Sequence, residues 1–166
     1  MRSSTLKKLA LFFPVIFLIH DLEEIVTIEQ VRLPFQLPFT ISTIEFTVAF
    51  VFLWVIVTVG CLYAANGRRF LWIKPLPFFS FLISGVFLAN GIGHVLQAIV
   101  FQKYVPGAIT AVLLLIPYCI MAVKKLYDAK VLTLKQIGGF LILGFILQTP
   151  SALLAILIGK SVVALF

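Results

Sequence analysis

The stretch "FLIHDLEEIV", residues 17–26, constrains this chain more than any other feature of its sequence. It sets His20, Asp21, Glu23 and Glu24 inside a run of Leu, Ile, Phe and Val that otherwise has the character of a membrane-spanning segment. An ionisable side chain at membrane depth costs about 2.5 kcal/mol or more, so such groups face a protein interior or a polar cavity and mark functional sites by default. A fold for this chain has to give these groups partners.

The rest of the sequence supplies the membrane. Of 166 residues, 62% are hydrophobic and 11% charged, against roughly 45–50% apolar and roughly 25% charged in soluble domains. Five apolar segments stand out, Leu9 to Ile28, Ile41 to Ala64, Pro77 to Phe101, Gly107 to Val123 and Ile137 to Gly159. Lipid offers peptide groups no hydrogen bonds, so these segments predict helices, most of them near the roughly 20 residues a crossing needs. The expected fold is all-α, one transmembrane helical domain over residues 1–166 with five spanning helices. Lys7 and Lys8 precede the first segment as they would a secretory signal, but acids stand where a small-residue cleavage site would be, and the helix is read as retained.

Basic residues orient the bundle, because Lys and Arg concentrate in short cytoplasmic loops. With the N-terminus inside, the cytoplasmic side receives Arg2, Lys7, Lys8, Arg68, Arg69, Lys74, Lys124, Lys125, Lys130 and Lys135, and the outside keeps Arg32, Lys103 and Lys160. An odd number of helices then puts the C-terminus outside, in the plasma membrane. The net charge of +7 is thus a topology signal and a contact with anionic lipid heads; membrane lipids are expected partners, and nucleic acid is not. Cys61 and Cys119 lie in apolar stretches and read as small buried hydrophobes. The outer loop repeats Leu33-Pro34-Phe35 as Leu37-Pro38-Phe39, which reads as a turn with interfacial anchors, since proline stops helix continuation. There is no P-loop, dinucleotide fingerprint or nucleophile elbow, and Ser80 and Ser84 fall toward the cytoplasmic half, poorly placed to serve His94.

At about 100° per residue, Glu24 falls about 40° from His20 on one side and Glu23 about 60° on the other, so the three share a sector while Asp21 turns aside. In "ANGIGHVLQ" of the third segment, Asn90, His94 and Gln97 share one stripe, and Gly91 and Gly93 let a neighbouring helix come close. Glu45 opens the second segment, and Gln148 is an isolated polar residue of the fifth, just ahead of Pro150. With a rise of about 1.5 Å per residue, Glu45 comes about 6 Å below the outer face, Glu24 about 8 Å, His94 about 10 Å, and Asn90, His20 and Gln148 about 14–16 Å. Residues from four segments therefore converge on one polar cavity in the outer half.

Two histidines with carboxylates form a ligand set for Zn²⁺, or for Mn²⁺ or Fe²⁺. "HDLEE" has the layout of the helical H-x-x-E-H zinc motif with Glu24 in place of the second histidine. By that geometry His20, Glu24 and His94 would hold one divalent ion and Glu23 would be the base on its water, with Glu45, Asn90, Gln97 and Gln148 as supporting groups or alternative ligands. A cation would also let adjacent buried carboxylates stay ionised. The enzyme expected on this reading is a metal-dependent hydrolase of a lipid or lipid-linked amphiphile. Three others stay open: metal-free acid/base chemistry of an isomerase type, a transporter or ion-binding subunit, and hydrogen-bonded packing with no chemistry.

At these residues the chain resembles the HXXEE family of small multi-spanning bacterial membrane proteins, whose pattern stands here as His20-Asp21-Leu22-Glu23-Glu24. "NGIGH", Asn90 to His94, and "YVPGAIT", Tyr104 to Thr110, are similar to the family's later motifs. The resemblance implies a several-helix domain of the bacterial inner membrane whose catalysis is suspected from its polar motif, and it names no substrate.

Overall fold

With no water to satisfy peptide groups in lipid, the apolar segments fold into helices that close their own hydrogen bonds. The computed structural model describes residues 4–29 and 41–165. It contains five long helices: α1 (Ser4–Thr27), α2 (Thr43–Ala65), α3 (Pro75–Phe101), α4 (Ala108–Asp128) and α5 (Leu134–Val163). Each coincides with one expected segment. The ends are written in local chemistry: Ser42 with Glu45 caps α2 and Thr133 with Gln136 caps α5, each a reciprocal capping box, and Pro75 opens α3 where its missing N–H is not needed. Gln102 ends α3 in the left-handed region. Arg2, Arg32 and the Leu-Pro-Phe doublet lie outside the described residues.

Four of the helices, α2 to α5, are long and apolar enough to cross a membrane. The expectation of five spans is corrected on this point: α1 has 24 residues, but Lys7 and Lys8 at one end and Asp21, Glu23 and Glu24 at the other take it out of that class. It packs among the others nonetheless, chiefly on α2, while α5 packs on α2 and α3.

Successive helices run in alternate directions. Trp54 of α2 donates its indole N–H to the Pro14 carbonyl at 2.9 Å, and Tyr118 of α4 donates to the Leu9 carbonyl. Lys7, Lys8, Arg68, Arg69, Lys74, Lys124, Lys125, Lys130 and Lys135 therefore belong to one end of the bundle, and Lys103 and Lys160 to the other. The core near the basic end is aromatic and aliphatic, with Phe13 edge-on to Phe87 at 4.6 Å and Ile83, Leu115 and Leu126 fully buried. Cys61 and Cys119 are free thiols inside it, as expected.

Two departures from regular helix matter for the site. Leu82–Phe87 of α3 and Ala111–Leu115 of α4 are π-helical turns, each of which adds a residue to the turn and re-aims the side chains beyond it. The first ends two residues short of the Asn90 to His94 stretch, and the second immediately succeeds Thr110.

Helix α5 is held by small residues. A methyl group on Gly144 would sit 2.1 Å from the Gly85 carbonyl oxygen of α3, and one on Gly159 would sit 2.3 Å from the Glu45 carbonyl oxygen of α2. Both contacts are with backbone, which cannot swing away. Gly144→Ala is therefore expected to destabilise the protein by about 1–3 kcal/mol, read as a lower thermal midpoint in detergent. Gly138→Ala, where nothing stands within 4 Å, is expected to leave the midpoint unchanged or raise it by up to about 1 kcal/mol of helix propensity.

Candidate metal centre

Near its C-terminal end α1 turns His20 and Glu24, one helical turn apart, toward α3, which answers with His94. His94 Nε2 lies 2.9 Å from Glu24 Oε1 and His20 Nε2 lies 3.9 Å from the same oxygen. The two imidazole rings stand nearly perpendicular, 5.0 Å between centroids. One ligand atom from each of His20, Glu24 and His94 can be chosen so that all lie within 4.8 Å of one another. These are the three residues expected to gather, and all are buried.

The cluster is under-satisfied. Neither ring nitrogen of His94 makes a well-aligned hydrogen bond, although the ring stands against the Glu24 carboxylate and the Pro106 backbone. Among the described residues, no lysine or arginine pairs with Glu24. Asp21, which the sequence reading turned aside, is 1% exposed with neither carboxylate oxygen hydrogen-bonded. Its signal was present in the sequence, since an acid in an apolar run carries the same cost wherever it faces.

Glu23 does something other than what was expected of it. Its carboxylate accepts hydrogen bonds from the Tyr104 hydroxyl at 2.5 Å, the Ile109 N–H at 3.1 Å, the Thr110 N–H at 2.6 Å and the Thr110 hydroxyl at 2.5 Å. All four donors come from the connection between α3 and α4 and the first turn of α4, where free N–H groups attract a carboxylate. Burial, and next the hydrogen bond to Glu23, hold the Tyr104 phenol above its ordinary range.

Thr110 then links the two halves of the motif. Its hydroxyl has one proton, which goes to Glu23, a carboxylate that can only accept. The same oxygen lies 2.9 Å from His20 Nδ1, so the ring must donate there, and His20 carries a proton on Nδ1. Its Nε2 lies 3.0 Å from the Asn90 side-chain oxygen. Two states fit this contact: an imidazolium donating to that oxygen, or a neutral ring with the Asn90 amide turned to donate, its two ends being interchangeable by shape. In the second state the Nε2 lone pair accepts from the Asn90 amide.

Gly107 closes the site from the side. Its φ is +81°, and a methyl group on it would meet Glu24 Cγ and His20 Cε1, each at 2.9 Å. Only glycine both adopts that backbone and lets it lie on the two side chains. Tyr104, Gly107 and Thr110 thus shape the site without sequence reasoning having given them a role, although all three stand in the "YVPGAIT" motif.

A cavity of about 270 Å³ adjoins the cluster, lined by Glu24, Asn90, His94, Gln97 and Gln148 among apolar neighbours. Gln97 and Gln148 stand where expected, and Gln148 packs against Gly93. Glu45 does not join them. It caps its own helix and pairs with Lys160 through both oxygens at 3.2 Å, because its place in the first turn of α2 offers free N–H groups and an ammonium closer than the cavity.

A family profile described as "Protein of unknown function with HXXEE motif" matches residues 11–122. Neither the curated proteins nor the solved structures gave a match.

The tautomer is open to measurement. With ¹⁵N-labelled histidine, His20 is expected to show a protonated Nδ1 in both of its states. Thr110→Val, which removes the acceptor and keeps the shape, is expected to release that constraint and broaden or shift the His20 signals while leaving His94 in place.

Proposed function

The chain belongs to the HXXEE-motif family, and from the cluster its motif builds we propose that it is a membrane-embedded, metal-dependent enzyme, a hydrolase of a lipid or lipid-linked amphiphile. The observation that carries the reading is the convergence of His20, Glu24 and His94, buried, with neither nitrogen of His94 in a well-formed hydrogen bond and, among the described residues, no ammonium or guanidinium paired with Glu24. Two imidazoles and a carboxylate suit Zn²⁺ first, and Mn²⁺ or Fe²⁺ next. A buried negative charge beside two bases is costly as it stands, and a divalent cation removes that cost.

Such an ion would supply a water acidified toward neutrality and an electrophile for a carbonyl or phosphoryl oxygen. The residues of the chain do the rest. With Nδ1 protonated by the Thr110–Glu23 link, the arrangement by which a metal-ligating histidine is normally oriented, Nε2 is the nitrogen His20 would turn to an ion, in exchange for its contact with the Asn90 amide. The proton acceptor in this reading is the second oxygen of Glu24, not Glu23 as the sequence suggested, since Glu23 is committed to four donors outside the cavity. The amides of Asn90, Gln97 and Gln148 are the groups available to a substrate's polar head.

The basic end of the bundle is the cytoplasmic end on this reading, by the loop rule, which puts the cluster in the outer half of the plasma membrane, the inner membrane of a bacterium by family resemblance. Membrane lipids are its surroundings and a lipid-like molecule its substrate.

One observation favours a second reading. His94 Nε2 and Glu24 Oε1 at 2.9 Å already form an acid/base couple that could exchange protons with an apolar substrate without a metal. Elemental analysis separates the two. Protein purified in detergent is expected to carry one Zn²⁺, Mn²⁺ or Fe²⁺ per chain and to lose it in the His20→Ala, His94→Ala double variant. Thr110→Val, which keeps all three ligands, is expected to weaken metal affinity about 10–100-fold. Protein that stays metal-free after incubation with these ions overturns the metal reading and leaves the acid/base couple.

A further inference from the structure

A second cavity of about 230 Å³ borders the one beside the cluster. The two share Phe50, Asn90, Gln148 and Ala152, so the polar residues stand at a neck between them. Beyond that neck the walls change character. They are Phe17, Leu53, Val57, Leu82, Val86 and their apolar neighbours; among the described residues Ser151 is the one further polar side chain and no titratable group is present.

The second cavity also has a direction. Its lining runs back from Asn90 to Phe81 on α3, forward from Phe50 to Val57 on α2, and back from Gln148 to Gly144 on α5. Because these helices alternate in direction, all three progressions lead away from Glu24 and His94 toward the basic end. At about 1.5 Å per residue, the stretch from Asn90 to Phe81 is about 13 Å deep. Carbon–carbon bonds of about 1.5 Å set in a zigzag advance about 1.3 Å each, so that depth admits an extended chain of about ten carbons.

We propose that the two cavities are one binding site for a single-chain amphiphile, whose polar head meets Glu24 and His94 and whose alkyl tail fills the slot between Asn90 and Phe81. The head is the part that the cluster recognises. The slot adds little attraction over bulk lipid, which is equally apolar, and instead selects by length: a tail that outruns the walls ending at Phe81, Val57 and Gly144 has to push its end out of the slot or withdraw the head from the cluster. A forked, two-chain lipid would have to leave its second chain outside. This proposal rests on the amphiphile reading above for the chemistry of the head, while the slot itself requires no metal.

Native mass spectrometry of the full chain, released from detergent micelles, tests both parts. The probes are the n-alkyl carboxylates hexanoate, octanoate, decanoate, dodecanoate and hexadecanoate at equal concentration, with and without added Zn²⁺. One molecule per chain is expected, with occupancy rising to the neighbourhood of decanoate and falling severalfold by hexadecanoate. Val86→Phe and Ser151→Phe, on facing walls of the slot, are each expected to move the optimum to a shorter chain, with thermal midpoints measured to check folding. Occupancy that climbs steadily with length, or an optimum that neither variant moves, overturns the slot. Zn²⁺ bound without a length optimum overturns the slot and supports the metal reading. A length optimum in protein that binds no Zn²⁺ supports the slot and counts against Zn²⁺ at the cluster.

Discussion

The hydroxyl of Thr110 carries the arrangement of this site. It lies between a carboxylate that can only accept and an imidazole nitrogen, and with a single proton to give it can satisfy both only in one order. Glu23 takes the proton, and His20 must supply one from Nδ1. That constraint joins the far end of α1 to the first turn of α4, so the orientation of a buried ring on one helix is decided by a residue 90 positions away in sequence. Remove the hydroxyl and His20 keeps its place in the helix but loses the reason for its tautomer.

The same constraint explains why two adjacent glutamates are not equivalent. Successive residues on a helix point about 100° apart, and here that angle separates a cavity from a loop. Glu24 faces His94, whereas Glu23 faces Tyr104, Ile109 and Thr110. A carboxylate with four donors is held in place and well satisfied, which suits an anchor. A carboxylate beside two imidazoles and, among the described residues, no ammonium or guanidinium is held close and left wanting, which suits a ligand or an acid/base partner.

Much of this was legible in the sequence, for reasons that differ between levels. The five helices follow from hydropathy and backbone satisfaction alone, and the convergence of His20, Glu24 and His94 follows from helical phase and depth. Phase gave the wrong company to Glu23, because a sector drawn around one helix does not show where the neighbouring helices begin. Depth gave the wrong company to Glu45: it lies at the right height, but a cap and Lys160 compete for it, and both are local effects that a depth count omits. Tyr104, Gly107 and Thr110 were hidden for a further reason. They occupy a connection, and the value of a connection lies in where it folds back, which neither periodicity nor hydropathy records.

The cavity itself is a consequence of how α5 is held. Its only buried residues are Gly144, Ala155 and Gly159, and two of these press on backbone, one against Gly85 of α3 and the other near Glu45 and Ala49 of α2. Between the two contacts lies Pro150, which takes a donor out of the helix and frees the carbonyl one turn before it. A helix pinned at two points by residues without bulk, and loosened between them, cannot follow the surface of its neighbours along its whole length. The gap it leaves is bordered by Gln148 and Ala152 on its own side and by Asn90 and Phe50 on the other. Polar side chains at the neck and apolar ones beyond it are therefore two results of one packing decision: small residues set where α5 touches, and the interval between those contacts is where a molecule can enter.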